Sequence, residues 1–114
     1  MLMMIGDKDD WTGVDQCVSS MKDIRAAGYS NMQVKLYKGA YHGFDSDKGI
    51  RKFSKGYGLT KCKFVIQADG TDTPETKKKM FAGCASKGVT LGGNHVMPQA
   101  MQDVREFLTK ALLQ

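Results

Sequence analysis

The chain opens on an unbroken apolar run, Leu2-Met3-Met4-Ile5, followed at once by Gly6 and a polar turn. A short run of this kind is the pattern of a strand covered on both faces, as in a parallel sheet. Val14, Cys17, Val18, Met21 and Ile24 then recur at helical spacing, which predicts a helix that stops at Gly28. Thr12 and Asp15 have the spacing of a capping box at its start. Met32, Val34 and Leu36 alternate with Gln33, Lys35 and Tyr37, the pattern of a second strand with one better-buried face. Strand, helix, strand is the unit from which parallel sheets are built. Its two post-strand turns, at 6–12 and 39–46, fall at the carboxyl edge, where open α/β sheets gather ligands and catalysis.

Beyond residue 46 the periodicity fades. Gly49, Gly56 and Gly58 lie among charges and aromatics, so 47–60 reads as a long loop. Lys61 to Ala68 reads as a short strand. Thr73 with Pro74 has the form of a helix start, with Met80, Phe81 and Cys84 on one face and Gly88 at the end. Val89 to Asn94 reads as a glycine-rich turn. From about 98 to 113, Ala100, Met101, Val104, Phe107, Leu108, Ala111 and Leu112 trace an amphipathic helix. There is no internal repeat and no low-complexity tract.

A chain of 114 residues is one domain at most. With 41% hydrophobic and 25% charged residues it falls outside the disordered class. The net charge of +5 reads as a lysine-rich solvated surface rather than a footprint for nucleic acid. No run approaches the ~18 apolar residues of a membrane span. The first residues carry no basic segment of a signal peptide and look like a core strand entered midway, which predicts a natural upstream half. Composition assigns no compartment. Cys17, Cys62 and Cys84 have no Cys-x-x-Cys spacing, and with only His42 and His95 to join them no metal site is expected. Cys17 falls on the apolar face of its helix. Cys62 and Cys84 are a candidate disulfide in an oxidising compartment.

The candidate chemistry sits in the first 46 residues. Asp7, Asp9 and Asp10 crowd the first turn, and His42 follows the second strand between Gly39 and Gly43. A carboxylate that accepts the Nδ1 proton of an imidazole fixes its tautomer and leaves Nε2 free to take a proton. Acid before histidine is also the chain order of α/β-hydrolases, in which the nucleophile precedes both.

Gly6-Asp7-Lys8-Asp9 after an apolar strand, Trp11-Thr12, the helix with Cys17, and Ala40-Tyr41-His42-Gly43-Phe44-Asp45 resemble the C-terminal part of the dienelactone hydrolase family. Gly92-Gly93-Asn94, followed by the stretch from Ala100 to Leu108, is similar to the family's last turn and helix. The resemblance covers the first 46 residues and roughly the last 25. It implies an α/β fold, the C-terminal portion of an α/β-hydrolase with parallel strands and flanking helices. It also implies hydrolysis of a small ester or lactone without cofactor or metal, with Asp9 as triad acid and His42 as triad base. The family's nucleophile lies in a Gly-x-Cys/Ser-x-Gly elbow. No such elbow occurs here, and Gly83-Cys84-Ala85-Ser86 is not one, so nucleophile and oxyanion hole are expected upstream of residue 1. The best-known members also carry an arginine just after the histidine. The corresponding position is about Ser46, so a grip on acidic lactones is not carried over.

Two rival readings remain open. Lys55-Gly56-Tyr57-Gly58 matches the first half of an RNA-recognition signature, and Arg51, Lys52, Phe53, Lys61, Lys63 and Phe64 interleave charge with rings as a single-strand binder does. Leu59-Thr60-Lys61-Cys62 lacks the later aromatics of that signature. Alternatively, the chain is a non-catalytic remnant whose free strand edges favour self-association. Lys77-Lys78-Lys79 reads as the wet face of a helix, the methionines as core filling, and His95 as a cap for the last helix.

Overall fold

A computed structural model describes residues 1–63, 78, 79 and 81–113. Strand β1 (Leu2–Gly6), helix α1 (Val14–Ala26) and strand β2 (Gln33–Tyr37) form the expected unit. β1 and β2 pair in parallel, from Leu2 opposite Gln33 to Gly6 opposite Tyr37. The second sheet is antiparallel: β3 (Arg51–Gly58) pairs with β4 (Ser86–Leu91). A single turn of 3-10 helix (Asn94–Val96) leads into α2 (Met97–Leu112), which has Pro98 in its first turn. Among the described residues the architecture is thus mixed α and β, with one small parallel and one small antiparallel sheet.

β3 corrects the expectation of a long loop over 47–60, and β4 that of a turn over Val89 to Asn94. The cause is the residue type at the covered positions. The buried residues of β3 are Gly56 and Gly58, which contribute no hydrophobic signal. A side chain at Gly56 would come within 2.7 Å of Val89, itself 1% exposed, so the bare backbone makes room for that valine. The register also shifts between Phe53 and Tyr57, which breaks strict alternation. Cys84 lies in a turn rather than on a helix face. It is joined to Cys62 by a disulfide that ties the chain leaving β3 to the chain entering β4. Closing a loop of that size restricts the unfolded chain by roughly 3 kcal/mol. The expected helix start at Thr73-Pro74, Met80, and the Lys61 to Ala68 strand beyond Lys63 lie outside the described residues; Lys61 to Lys63 are not in a strand.

The core is Tyr37, Ala40, Phe44 and Ala100, with Met4 and Val96 packed against it. It sits where the end of β2 meets the first turns of α2. Burial falls short of the sequence pattern elsewhere. Leu2, Met3 and Met4 are half-buried rather than enclosed, Leu36 is exposed, and Cys17 is half-buried. On α2, Ala100 is covered, but Met101, Leu108 and Leu112 are exposed. Two strands cover about 10 Å across, whereas a helix of 16 residues runs about 24 Å. A sheet that narrow cannot roof the whole apolar stripe. Among the described residues no helix is long and apolar enough to cross a membrane.

Candidate functional site

The three aspartates of the first turn have three separate tasks. Asp7 Oδ1 accepts the backbone N–H of Gly39 at 2.7 Å, binding the acid turn to the histidine turn. Asp10 accepts the backbone N–H of Thr90 at 2.9 Å, binding the acid turn to β4. Asp9 takes the site. Its Oδ1 accepts the backbone N–H groups of Trp11 and Thr12 at 3.0 and 2.9 Å. Its Oδ2 accepts the Thr12 hydroxyl at 2.8 Å and faces His42 Nδ1 at 3.1 Å. Asp9 is 7% exposed, so its charge is held by these donors rather than by water.

These contacts replace the expected capping box. α1 has Gly13 at its N-cap with no side-chain cap, because the Thr12 hydroxyl points back to Asp9. An acid bonding the backbone two and three residues ahead is a local pattern legible in sequence. The spacing Asp9-x-x-Thr12 is the signal that would have placed Thr12 in the site.

The two turns meet through backbone. Asp7 N–H donates to Tyr37 O and Lys8 N–H to Ala40 O, both at 3.0 Å. A methyl on Gly6 would be driven into the Ala40 carbonyl, so only glycine lets the turns approach this closely. The histidine turn is fixed from its other side by β4. Tyr41 N–H donates to Gly92 O, and Gly92 N–H to His42 O, both at 2.9 Å. Gly93, with φ 113°, lies so close that a side chain there would meet Ala40 Cα at 2.8 Å. His95 does not cap α2; its Nε2 donates to the Lys38 carbonyl at 3.1 Å and steadies the same turn.

The imidazole of His42 is thus held by Asp9 at Nδ1 and packed by Trp11, whose ring centroid is 4.9 Å away. Its side chain remains 39% exposed. With Nδ1–H donated to the carboxylate, Nε2 carries the lone pair and can accept a proton. Asp9 and His42 border a cleft of about 430 Å³ that also includes Thr12, Cys17 and Phe44. Burial, and then the charge of Asp9, push the Cys17 thiol above its ordinary pKa. That is the reverse of what an activated thiolate nucleophile needs. Ser46, four residues after His42, supplies a buried hydroxyl and no cation.

Sequence reasoning named Asp9 and His42, and the structure brings them together across 33 residues of chain. It did not anticipate Thr12 as a ligand of the acid, nor Phe53, which packs on Trp11 with centroids 5.7 Å apart. Among the described residues no group of three or more His, Cys, Asp or Glu side chains is placed to hold a metal ion. No family model matches the chain, and no curated protein or solved structure matches it.

Proposed function

We propose that the chain is the C-terminal part of an α/β-hydrolase that cleaves a small carboxylic ester or lactone, of the dienelactone hydrolase kind. Asp9 is the triad acid and His42 the base. The observation that carries the proposal is the 3.1 Å contact between Asp9 Oδ2 and His42 Nδ1, made by a buried acid and a partly exposed imidazole. The nucleophile, a serine or cysteine in an elbow, comes from a segment outside these 114 residues. His42 Nε2 takes the proton of that hydroxyl or thiol as it attacks the carbonyl carbon. His42 then returns the proton to the leaving alkoxide. In the second half it takes a proton from water as that water attacks the acyl carbonyl. It then gives the proton to the departing oxygen or sulfur of the nucleophile, which releases the acid and restores the starting state. Asp9 offsets the charge on the imidazolium in each half.

The test is a longer chain that includes the in-frame sequence preceding residue 1. It is expected to hold a Gly-x-Ser/Cys-x-Gly elbow and to hydrolyse p-nitrophenyl acetate. His42→Ala and Asp9→Asn should each cut kcat by about 10³–10⁴. The 114-residue chain alone should not exceed its own His42→Ala variant. An extension without an elbow, or turnover indifferent to both substitutions, would sink the proposal.

A second reading has one observation in its favour. β3 presents Phe53 and Tyr57 on the surface among Arg51, Lys52 and Lys55, all exposed, as a single-stranded nucleic-acid platform does. A salt-dependent mobility shift of labelled single-stranded RNA would support it. No shift at low salt would remove it.

A further inference from the structure

Against the Trp11 ring lies a second cleft of about 720 Å³. Trp11, Phe53, Tyr57 and Phe81 line it together with Lys55 and Lys78. Its volume is within the range of small-molecule sites, about 300–1,000 Å³. Four rings give flat, polarisable walls that favour another ring. Among the described residues the charged side chains on the lining are both cations, so an anionic group gains there and a cationic one loses. Trp11 links the cleft to the dyad: its ring centroid lies 4.9 Å from that of His42 and 5.7 Å from that of Phe53.

We propose that this cleft binds a small aromatic carboxylate, the ring between Trp11, Phe53 and Tyr57 and the carboxylate at Lys55 and Lys78. Resting on the hydrolase reading, it narrows the substrate class to esters that carry an aromatic ring with a negative charge remote from the scissile bond. Bound in this way, the molecule lies against Trp11, whose ring also packs on His42. An RNA platform would use the same rings, but it needs a basic track along the backbone, whereas the described lining of this cleft carries two lysines.

Trp11 is the single tryptophan, so its indole N–H gives one reporter signal in a ¹H–¹⁵N spectrum of the chain as it stands. Titration with 3-phenylpropionate should move that signal saturably. 3-Phenylpropan-1-ol should bind at least about fivefold more weakly, the worth of roughly one well-placed charge contact. Lys55→Ala with Lys78→Ala should weaken the acid about fivefold and leave the alcohol unchanged, while Phe53→Ala should weaken both. Equal binding of acid and alcohol, or a linear and unsaturable shift, would overturn the proposal. So would a single-stranded RNA octamer that displaces the acid and binds more tightly through the same lysines. The measurement needs no nucleophile. Binding can therefore succeed where hydrolysis by the longer chain fails, and a hydrolase without this selectivity would fail here alone.

Discussion

Asp9 and Asp103 are almost equally buried, at 7% and 6% exposure, yet they do different things. Asp103 on α2 accepts the Tyr37 hydroxyl at 2.7 Å and has Lys35 Nζ at 3.3 Å and Gln99 Nε2 at 3.4 Å. The tyrosine hydrogen bond first, with help from Lys35 and Gln99 and against the cost of burial, holds its carboxyl below the usual range. Every one of these side-chain partners can be a donor, and the arrangement joins β2 to α2 inside the core. Asp9 is anchored on backbone N–H groups of its own turn and lends its remaining oxygen to an imidazole at the rim. A buried carboxylate alone therefore marks nothing. A site is marked by a partner that keeps a lone pair on the side facing substrate.

The largest separation of the two should come from Gly6→Ala. Its methyl would strike the Ala40 carbonyl and lie near Tyr41 N, both backbone atoms that cannot swing aside. The acid turn must then leave the histidine turn. A loss of about 3 kcal/mol in urea unfolding is expected, at the upper end of single substitutions. The Nδ1–H signal of His42 should disappear with it. A variant of unchanged stability that keeps that signal would show that the turns do not depend on this approach.

This close approach also marks what the sequence could convey. β1, α1, β2 and α2 were legible because their apolar residues repeat at the period of the element, and each lies within two residues of its expected bounds. The pairing of Asp9 with His42 followed from topology, since successive parallel strands put their following turns on one edge. β3 was illegible because its inward positions are glycines and its outward ones mix lysine with aromatics, which resembles a loop. The partners of the aspartates were illegible for another reason. Asp10 reaches Thr90 across 80 residues, and no local pattern encodes a contact at that range. The exposed Leu108 and Leu112 carry the opposite lesson: periodicity shows which face is apolar, not how much of it finds cover.

Tyr37→Phe should be the next largest effect and should strike the Asp103 side alone. It removes the donor that does most to stabilise the Asp103 charge, at a cost of about 2 kcal/mol at neutral pH, the range for hydrogen bonds to charged groups. The pH dependence follows in sign. A carboxyl held below its unfolded value contributes stability that is present above that value, about 3.9, and is lost as pH falls through the folded one. The gap between wild type and Tyr37→Phe should therefore narrow on acidification below about pH 4. Burial first, then Asp103, raises the Tyr37 phenol. Its contribution is present below the unfolded tyrosine value of about 10 and fades as pH climbs toward the folded one, so the wild type alone should lose stability on that limb. Unfolding curves from acid to alkaline pH would test both limbs, and a constant gap would count against the Asp103 assignment.

Thr12→Val reverses the direction of interest. The hydroxyl and the imidazole share Asp9 Oδ2, at 2.8 and 3.1 Å. Loss of the hydroxyl should cost about 1 kcal/mol, an ordinary hydrogen bond. It should also leave that oxygen more fully to His42, moving the Nδ1–H resonance downfield. Disappearance of the resonance would instead make Thr12 the residue that holds Asp9 in place.

The smallest effect sharpens the comparison most. Lys35 and His42 each give a buried aspartate a half-exposed partner, with side chains 46% and 39% accessible. Accessibility therefore does not separate the structural pair from the proposed catalytic one. Their chemistry does: an ammonium has three donors and no acceptor, whereas imidazole bonded at Nδ1 still has Nε2. Water screens Lys35, and Asp103 keeps its bonds to Tyr37 and Gln99 without it. Lys35→Met should therefore cost no more than about 0.5 kcal/mol, as for other exposed ion pairs, and the difference should vanish in 1 M salt, where the screening length is about 3 Å. A loss well above 1 kcal/mol that survives salt would mean that Asp103 needs a cation as much as a hydroxyl. The contrast with Asp9, whose charge is met by backbone and hydroxyl donors before any imidazole is counted, would then be a difference in kind of support as well as in use.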